Sequence, residues 1–460
     1  MTLSRTVVRR VATAMKVPLP PEAAQAAMLH LRDAIGVGLA SAGSPVGQPY
    51  VRLARGSSNR GGASVFGAVG GYAPEEAALM NGGLIHSLEY DDTHTASIVH
   101  GSSLAAAVSL AVAEATGASG PRLLSAFTFC WEFMIRIGLA APGEFQKRGF
   151  HITSVGGSLA AALTAADLFG LSEDQSVAAI GISLSQASGV FEFLSNGSSV
   201  KSLHPGWAAH SGVYAAKLAA AGMTGPETAL EGRWGLFRHF AVSDDGAARL
   251  EAQLGDLGTR WHVADAAFKF YPCCHFLHPF IEAAGTIEKK GITAGDISEI
   301  ICRVAPGAAP IICEPWDTKQ KPVDGHAIRW SLPVTIAARI VEGDIGLGTF
   351  EHNASSAVLD LAQRISWEPM AATRFPVRFE AEIECRTRGG EKHRVVIDDA
   401  YGNQSRPAKA EELEKKFRMN AARGLSEQGV TSLLSAIAAI PKVSDLKALT
   451  SALQCLRTPN

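Results

Sequence analysis

Long runs of like charge are missing from this sequence. Charged residues make up 19% of its 460 positions and nearly balance, leaving a formal net charge of -2. A nucleic-acid binder carries a clustered basic footprint. None is present, so neither nucleic acid nor an anionic membrane surface is expected as a partner. Cysteine is scarce as well: Cys130, Cys273, Cys274, Cys302, Cys313, Cys385 and Cys455 are odd in number and thinly spread. That excludes a disulfide framework and points to a reducing, cytoplasmic setting. No secretory apolar segment follows Met1–Lys16. Its Val7, Val8, Val11 and Met15 predict a first amphipathic helix rather than a transit peptide. The longest uncharged stretches, Thr93–Ala113 and Gln175–Phe191, are rich in Ser, His or Gln. They read as buried helices, not membrane spans.

Cofactor signatures are absent too. There is no phosphate loop followed by Lys-Ser/Thr, no G-x-G-x-x-G after a strand and no H-E-x-x-H; Gly67-Ala68-Val69-Gly70-Gly71 is only a Gly-rich turn. Cys273-Cys274-His275-x-x-His278 superficially resembles a zinc cluster. A tetrahedral zinc site normally takes its ligands as two separated pairs. Here four crowd into six positions with no second pair elsewhere, so no metal is expected. Iron–sulfur clusters need spaced cysteines, which are also missing.

What is present is a chain 47% hydrophobic, long enough for two or three domains. Its first half is Ala- and Gly-rich with apolar positions at helical spacing, as at Leu104, Val108 and Val112, and similar patterns fill Ser158–Phe169 and Ser176–Phe191. Pro18-Leu19-Pro20-Pro21 ends a first helix and opens a second from Glu22. Residues 1–264 thus read as all-helical. The pattern then changes. Glu299–Val304 alternates as a strand, and Val377–Arg386 alternates strictly, with Val377, Phe379, Ala381, Ile383 and Cys385 on one face. Gly389-Gly390 and Lys392–Ile397 complete a hairpin. Helices are expected at Pro279–Lys290 and Ala327–Glu342. Residues 265–400 read as an α+β domain, and the tail Ala408–Leu456 returns to helical periodicity.

Four polar clusters stand in these apolar surroundings. The first, His86-Ser-Leu-Glu89-Tyr-Asp91-Asp92-Thr93-His94 with His100, puts three acids and three histidines into fifteen residues. Buried acids are costly unless paired, so the cluster reads as a polar pocket wall, as a helix cap through Asp92 or Thr93, or as both. The second is Lys147-Arg148-Gly149-Phe150-His151-Ile-Thr153-Ser154, with His151 at a helix entry. The third, Val200-Lys201-Ser202-Leu203-His204-Pro205-Gly206, precedes a helix over 207–221. The fourth, Phe268-Lys269-Phe270-Tyr271-Pro272-Cys273-Cys274, falls near the supposed domain boundary, where ligand clefts are common. Each has a plain alternative: a satisfied surface histidine, a solvated lysine, or an aromatic core strand whose Lys269 reaches water.

Taken together, the clusters resemble the MmgE/PrpD family. H-S-L-E-Y-D-D-T-H-x5-H-G-S is similar to its H-x-L-(D/E)-(F/Y)-D-D-T-H-x5-H-P-S signature. F-H-I-T-S-V-G-G, K-S-L-H-P-G-W-A-A-H-S-G and K-F-Y-P-C-C are similar to its H-x-T, K-x-x-H-x-G and K-x-Y-P-x-C elements, in the same order. The resemblance implies a mostly α fold: a large all-helical domain built from both chain termini, residues 1–264 with 401–460, and a smaller α+β lid domain, 265–400. It also implies a homodimer, no metal or organic cofactor, and a small di- or tricarboxylic acid as substrate. The implied activities are 2-methylcitrate dehydration, taken as the main expectation for a carbon–oxygen lyase, cis-aconitate decarboxylation and iminodisuccinate epimerisation. A catalytically silent carboxylate-binding homologue is the alternative from another class. Three positions depart from what the resemblance implies: Glu89 stands where the decarboxylase and dehydratase members usually carry Asp, Gly101 replaces the signature Pro, and Val334 stands where those members usually have a site Tyr.

Such chemistry handles a proton next to a carboxylate. Lys201 and Lys269 are suited to stabilise developing negative charge. His100 and His151 ordinarily titrate near neutrality and can give or take a proton. Tyr271 is a further expected catalytic group. Glu89, Asp91, Asp92, Thr93 and His204 are expected to bind substrate or orient these groups.

Overall fold

A computed structural model describes residues 1–57 and 61–456. Its first helix, Leu3–Ala14, buries Val7, Val8 and Val11, and the second, Pro21–Ala42, starts with proline at N1. Proline suits that place because the first-turn N–H has no partner within the helix. Four further helices matter for function: Pro74–His86, Gly101–Thr116, Ile152–Leu168 and Leu203–Ala220. The last three pack on one another, the first packs on the second and fourth, and glycines set the contacts. At Gly206 an added Cβ would lie 2.3 Å from the Leu79 carbonyl oxygen, and at Gly157 2.4 Å from Leu104.

One expectation for the first half needs correction. The helix expected over Ser176–Phe191 stops at Leu184. Beyond it Gly189 takes φ 110, and the chain turns back to pair Val190 with Phe150, laying residues 189–191 against His151. Among the described residues, the one helix long and apolar enough to cross a membrane is Gly120–Ala140, and 89% of its most apolar window is buried inside the protein.

Four strands form one sheet in the order β2–β1–β3–β4: β1 Ile297–Val304, β2 Ile365–Pro369, β3 Ala381–Thr387 and β4 Lys392–Ile397. β1 runs parallel to β2 and antiparallel to β3, and β3–β4 is the expected hairpin, with Gly390 at φ 87. The long strand expected from Val377 begins only at Ala381. Pro376 lacks an N–H, the Phe379 N–H bonds the Asp399 side chain instead of a strand, and Val377 is exposed. β2 was not foreseen; it is a short edge strand closed by Pro369, a place proline tolerates. The helix expected over Ala327–Glu342 is two, Gly325–Ile328 and Leu332–Glu342. Ser331 separates them by capping the second, its Oγ accepting from the Val334 N–H, with Pro333 in the first turn.

Buried apolar side chains gather in two large clusters. One joins residues of the first 266 to Phe417, Leu433, Ile437 and Leu453 from the tail helices Ala410–Ala421, Glu427–Ala439 and Lys447–Leu453. The other runs from Cys273 to Ala400 around the sheet. The fold is mostly helical with a small sheet.

Candidate active site

Three histidines sit at the starts of three adjacent helices. His100 is the N-cap of Gly101–Thr116, His151 is the N-cap of Ile152–Leu168, and His204 lies in the first turn of Leu203–Ala220. Helix N-termini carry partial positive charge and disfavour a protonated imidazole. His86, the last residue of Pro74–His86, completes the group. Its ring centroid is 5.0 Å from that of His100 and 5.7 Å from that of His151.

Each ring is held by a specific partner. The Nδ1 of His100 lies 3.0 Å from the carbonyl oxygen of Asp92 and 3.1 Å from Thr93 Oγ1, and its backbone N–H donates to Thr153 Oγ1. His151 and His204 meet Nδ1 to Nδ1 at 3.1 Å, so one nitrogen donates and the other accepts, and the two rings titrate as a pair. The Nδ1 of His86 meets Asp91 Oδ2 at 2.8 Å.

Glu89 stands at the centre. Lys201 Nζ bonds its Oε1, Lys269 Nζ lies 3.7 Å from its Oε2, and His86 Nε2 is 3.8 Å from Oε1. Lys269 is fully buried, and Glu89 and Lys201 nearly so. Burial pushes the Glu89 carboxyl up, but Lys201 and Lys269 outweigh it and hold the group well below the usual carboxylate range. Burial, reinforced by Lys269 and Lys201, holds His100 well below the usual imidazole range. His151 is lowered by burial and by His204, while burial and the neighbouring His86 and Lys201 bring His204 to about 3. The site thus sets neutral imidazoles beside cationic lysines.

Of the residues expected from the sequence, Glu89, Asp91, Thr93, His100, His151, Lys201, His204 and Lys269 come together here. Asp92 does not face this group. Its carboxylate accepts from the backbone N–H and the Oγ of Ser102 and meets His30 Nδ1 at 2.6 Å, so it anchors the helix that carries His100. Tyr271 instead lines a cleft of about 250 Å³ with His278, Glu282, Tyr401 and Arg406. Val334 is buried in the second apolar cluster.

The sequence places His86 in the first polar cluster but assigns it no role, and it does not single out Arg329. His86 had a usable signal, since it precedes Glu89 by one helical turn. Arg329 is fully buried; its Nη1 donates to the carbonyls of Leu88, at 2.7 Å, and Pro272, while its Nε and Nη2 have no hydrogen-bond partner among the described residues.

Among the described residues, two groups bring metal-ligating atoms within 4.8 Å of one another: His86, Asp91 and His100, and His94, His262 and Asp265. In the first, both Nδ1 atoms are already bonded as described. In the second, Arg260 and Gln404 occupy the Asp265 oxygens, which sets a fixed positive charge where a cation would bind. Cys273, Cys274, His275 and His278 form no such group, and burial pushes both thiols up.

Residues 7–247 match the MmgE/PrpD N-terminal domain, and residues 271–439 match the MmgE/PrpD C-terminal domain. The cis-aconitate decarboxylase-like protein oryM of Aspergillus oryzae is 25% identical over 449 residues, covering 94% of this chain and 93% of that protein. Cis-aconitate decarboxylase of Homo sapiens is 28% identical over 395 residues, 83% of this chain and 79% of its own. The Aspergillus terreus enzyme of the same name is 23% identical over 464 residues, 95% of this chain and 93% of its own.

Proposed function

Since the chain belongs to the MmgE/PrpD family, we propose that it is an enzyme that decarboxylates a small unsaturated di- or tricarboxylic acid resembling cis-aconitate. The carrying observation is the pair of buried lysines on one carboxylate, beside imidazoles kept neutral. The names of the curated relatives favour this reaction over the dehydration first expected.

Substrate carboxylates take the place of Glu89 as partners of Lys201 and Lys269. The C–C bond to the departing carboxylate breaks and CO2 leaves. Its electron pair delocalises through the double bond onto a remaining carboxylate. There the two lysines stabilise the charge in a water-poor region, where a fixed positive charge acts more strongly than in bulk water. No base is required. A proton closes the step, and His100 supplies it from Nε2. In the free protein burial and the two lysines keep His100 neutral; the anionic substrate opposes the lysine field and lets the ring take up the proton it then gives. Asp92 and Thr93 hold the ring through Nδ1.

Proton NMR in D2O tests this with cis-aconitate, 2-methylcitrate, citrate and iminodisuccinate. Loss of CO2 with one deuterium incorporated supports it. Loss of water identifies a hydro-lyase, and deuterium exchange without net change an epimerase; either overturns the decarboxylase reading. Binding without any turnover identifies a silent homologue.

A further inference from the structure

Glu89 has φ 52, a left-handed conformation that is strained for a non-glycine residue and persists only when surroundings enforce it. The surroundings are unusual. Three successive carbonyls of this turn each accept from a different buried cation. Leu88 accepts from Arg329 Nη1 at 2.7 Å, Glu89 from Lys269 Nζ at 3.1 Å, and Tyr90 from Lys416 Nζ at 3.1 Å. The three cations come from three distant parts of the chain.

Lys416 directs the hydrogen bonds of its ammonium to Asp33 and to the Tyr90 carbonyl, not to the active-site histidines or the Glu89 carboxylate. It lies on the tail helix Ala410–Ala421, nearly fully buried, with Nζ 2.8 Å from Asp33 Oδ2 and 4.1 Å from the centroid of the Tyr90 ring. A lysine serving only to neutralise Asp33 needs neither the Tyr90 carbonyl nor its ring. We propose that Lys416 is a positioning residue: it clamps the turn at Tyr90 so that the Glu89 carboxylate, one residue back, meets Lys201. The tail helix is then part of the active-site machinery and not only of the core. The consequence for catalysis rests on the function proposed above; the consequence for geometry does not.

The test is the double variant Asp33→Leu/Lys416→Met. It removes both charges together, and apolar replacement of a whole buried pair is often tolerated where removal of one partner is not. Its crystal structure is expected to show residue 89 outside the left-handed region and Lys201 no longer on its carboxylate. On any acid the wild type turns over, kcat is expected to fall about 100-fold while KM changes by less than about threefold, because misplacement by an ångström is enough. Lys416→Arg, which keeps a charged donor, is expected to restore most of kcat. If the double variant does not fold, Lys416→Gln leaves a neutral donor and is read in the same two ways, with a loss of about 10-fold. An unchanged Glu89 turn with full kcat overturns the proposal. If the wild type acts on none of the acids, the functional reading falls, and the crystal structures alone still decide this one.

Discussion

The carbonyl oxygen of Asp92 lies 3.0 Å from the Nδ1 of His100. A carbonyl only accepts, so Nδ1 carries the hydrogen and Nε2 is left with the lone pair. The backbone thereby selects the tautomer, and the same Asp92 fixes the following helix through Ser102. Replacing His100 by Gln is expected to lower kcat by roughly 10²–10⁴, the usual contribution of a positioned acid or base. Acid binding, followed by calorimetry, is expected to persist. Full turnover in His100→Gln removes this residue from the scheme.

Lys201→Met leaves Glu89 with Lys269 at 3.7 Å and His86 at 3.8 Å, neither within hydrogen-bond distance of its carboxylate. Breaking one half of a buried pair typically costs about 3–5 kcal/mol, so the chemical-denaturation midpoint should drop clearly. Turnover should fall by about 10²–10³, as for loss of one preorganised charge-stabilising group. The double variant Lys201→Met/Glu89→Leu should regain stability without regaining activity. Activity in that double variant would falsify the role of Lys201.

Substrate binding should draw protons from solution. His100 and His151 are held well below the usual imidazole range in the free protein, and are therefore neutral at pH 7. A bound polyanion opposes the lysine field and raises them. Calorimetric titration of cis-aconitate at pH 7 in buffers of different ionisation enthalpy should reveal net proton uptake, reduced in His100→Gln. Proton release, or none, contradicts the assignment.

Stability should fall as the solution is acidified. Burial lowers His94 and His204 to about 3 and His326 to about 4, and places His275 and His278 well below the ordinary value. An unfolded chain binds protons at these sites from about pH 6.5 downward, while the folded protein does not. Folding stability therefore rises with pH up to about 6.5 and is lost below it, by about 1.4 kcal/mol per pH unit for each such histidine. The loss continues until each folded-state value is reached. Thermal melts from pH 8 to pH 4 should be flat above about pH 7 and steep below 6 as far as these groups are concerned. A melting temperature that climbs on acidification contradicts the burial argument.

Gly101 is required by Trp131. An added Cβ would lie 2.3 Å from the indole ring, whose Nε1 donates to Ser102 Oγ at 3.0 Å. Gly101→Ala should destabilise by about 1–3 kcal/mol, the usual penalty for overfilling a packed site. It should also lower kcat, since His100 is the adjoining residue. A variant with wild-type stability shows that the indole can shift without cost.

Much of the site was readable because its residues stand in short, dense polar runs within apolar sequence. His100, His151, Lys201, Lys269 and Glu89 announce themselves in that way. Lys416 does not. In Glu411-Glu412-Leu413-Glu414-Lys415-Lys416 it looks like one more charge on a solvated helix face, and only its packing against Asp33 and Tyr90 distinguishes it. Arg329 is equally silent in sequence, because its partners are backbone carbonyls, which no side-chain pattern encodes. Asp92 misled in the opposite direction: its neighbours suggested a ligand, whereas Ser102 and His30 consume both its oxygens. Tyr271 is adjacent to cluster residues in sequence, yet the local turn sends it to another cleft. In the fold, the Gly389-Gly390 turn located β4 correctly, whereas strand alternation overextended β3, since alternation says nothing of where Pro376 ends hydrogen bonding. β2 has too few residues to show a period at all.

The clamp on residues 88–90 also imposes an order in time. Lys269, Arg329 and Lys416 follow their carbonyl partners by 180, 241 and 326 positions. At synthesis rates of about 5–20 residues per second, Lys416 appears roughly 15–65 s after Tyr90. For that interval the histidine helices can already pack, but the turn that carries Glu89 lacks its last restraint. A nascent chain halted before residue 416 should thus be compact, helical and idle, and the competence of the site arrives with its tail.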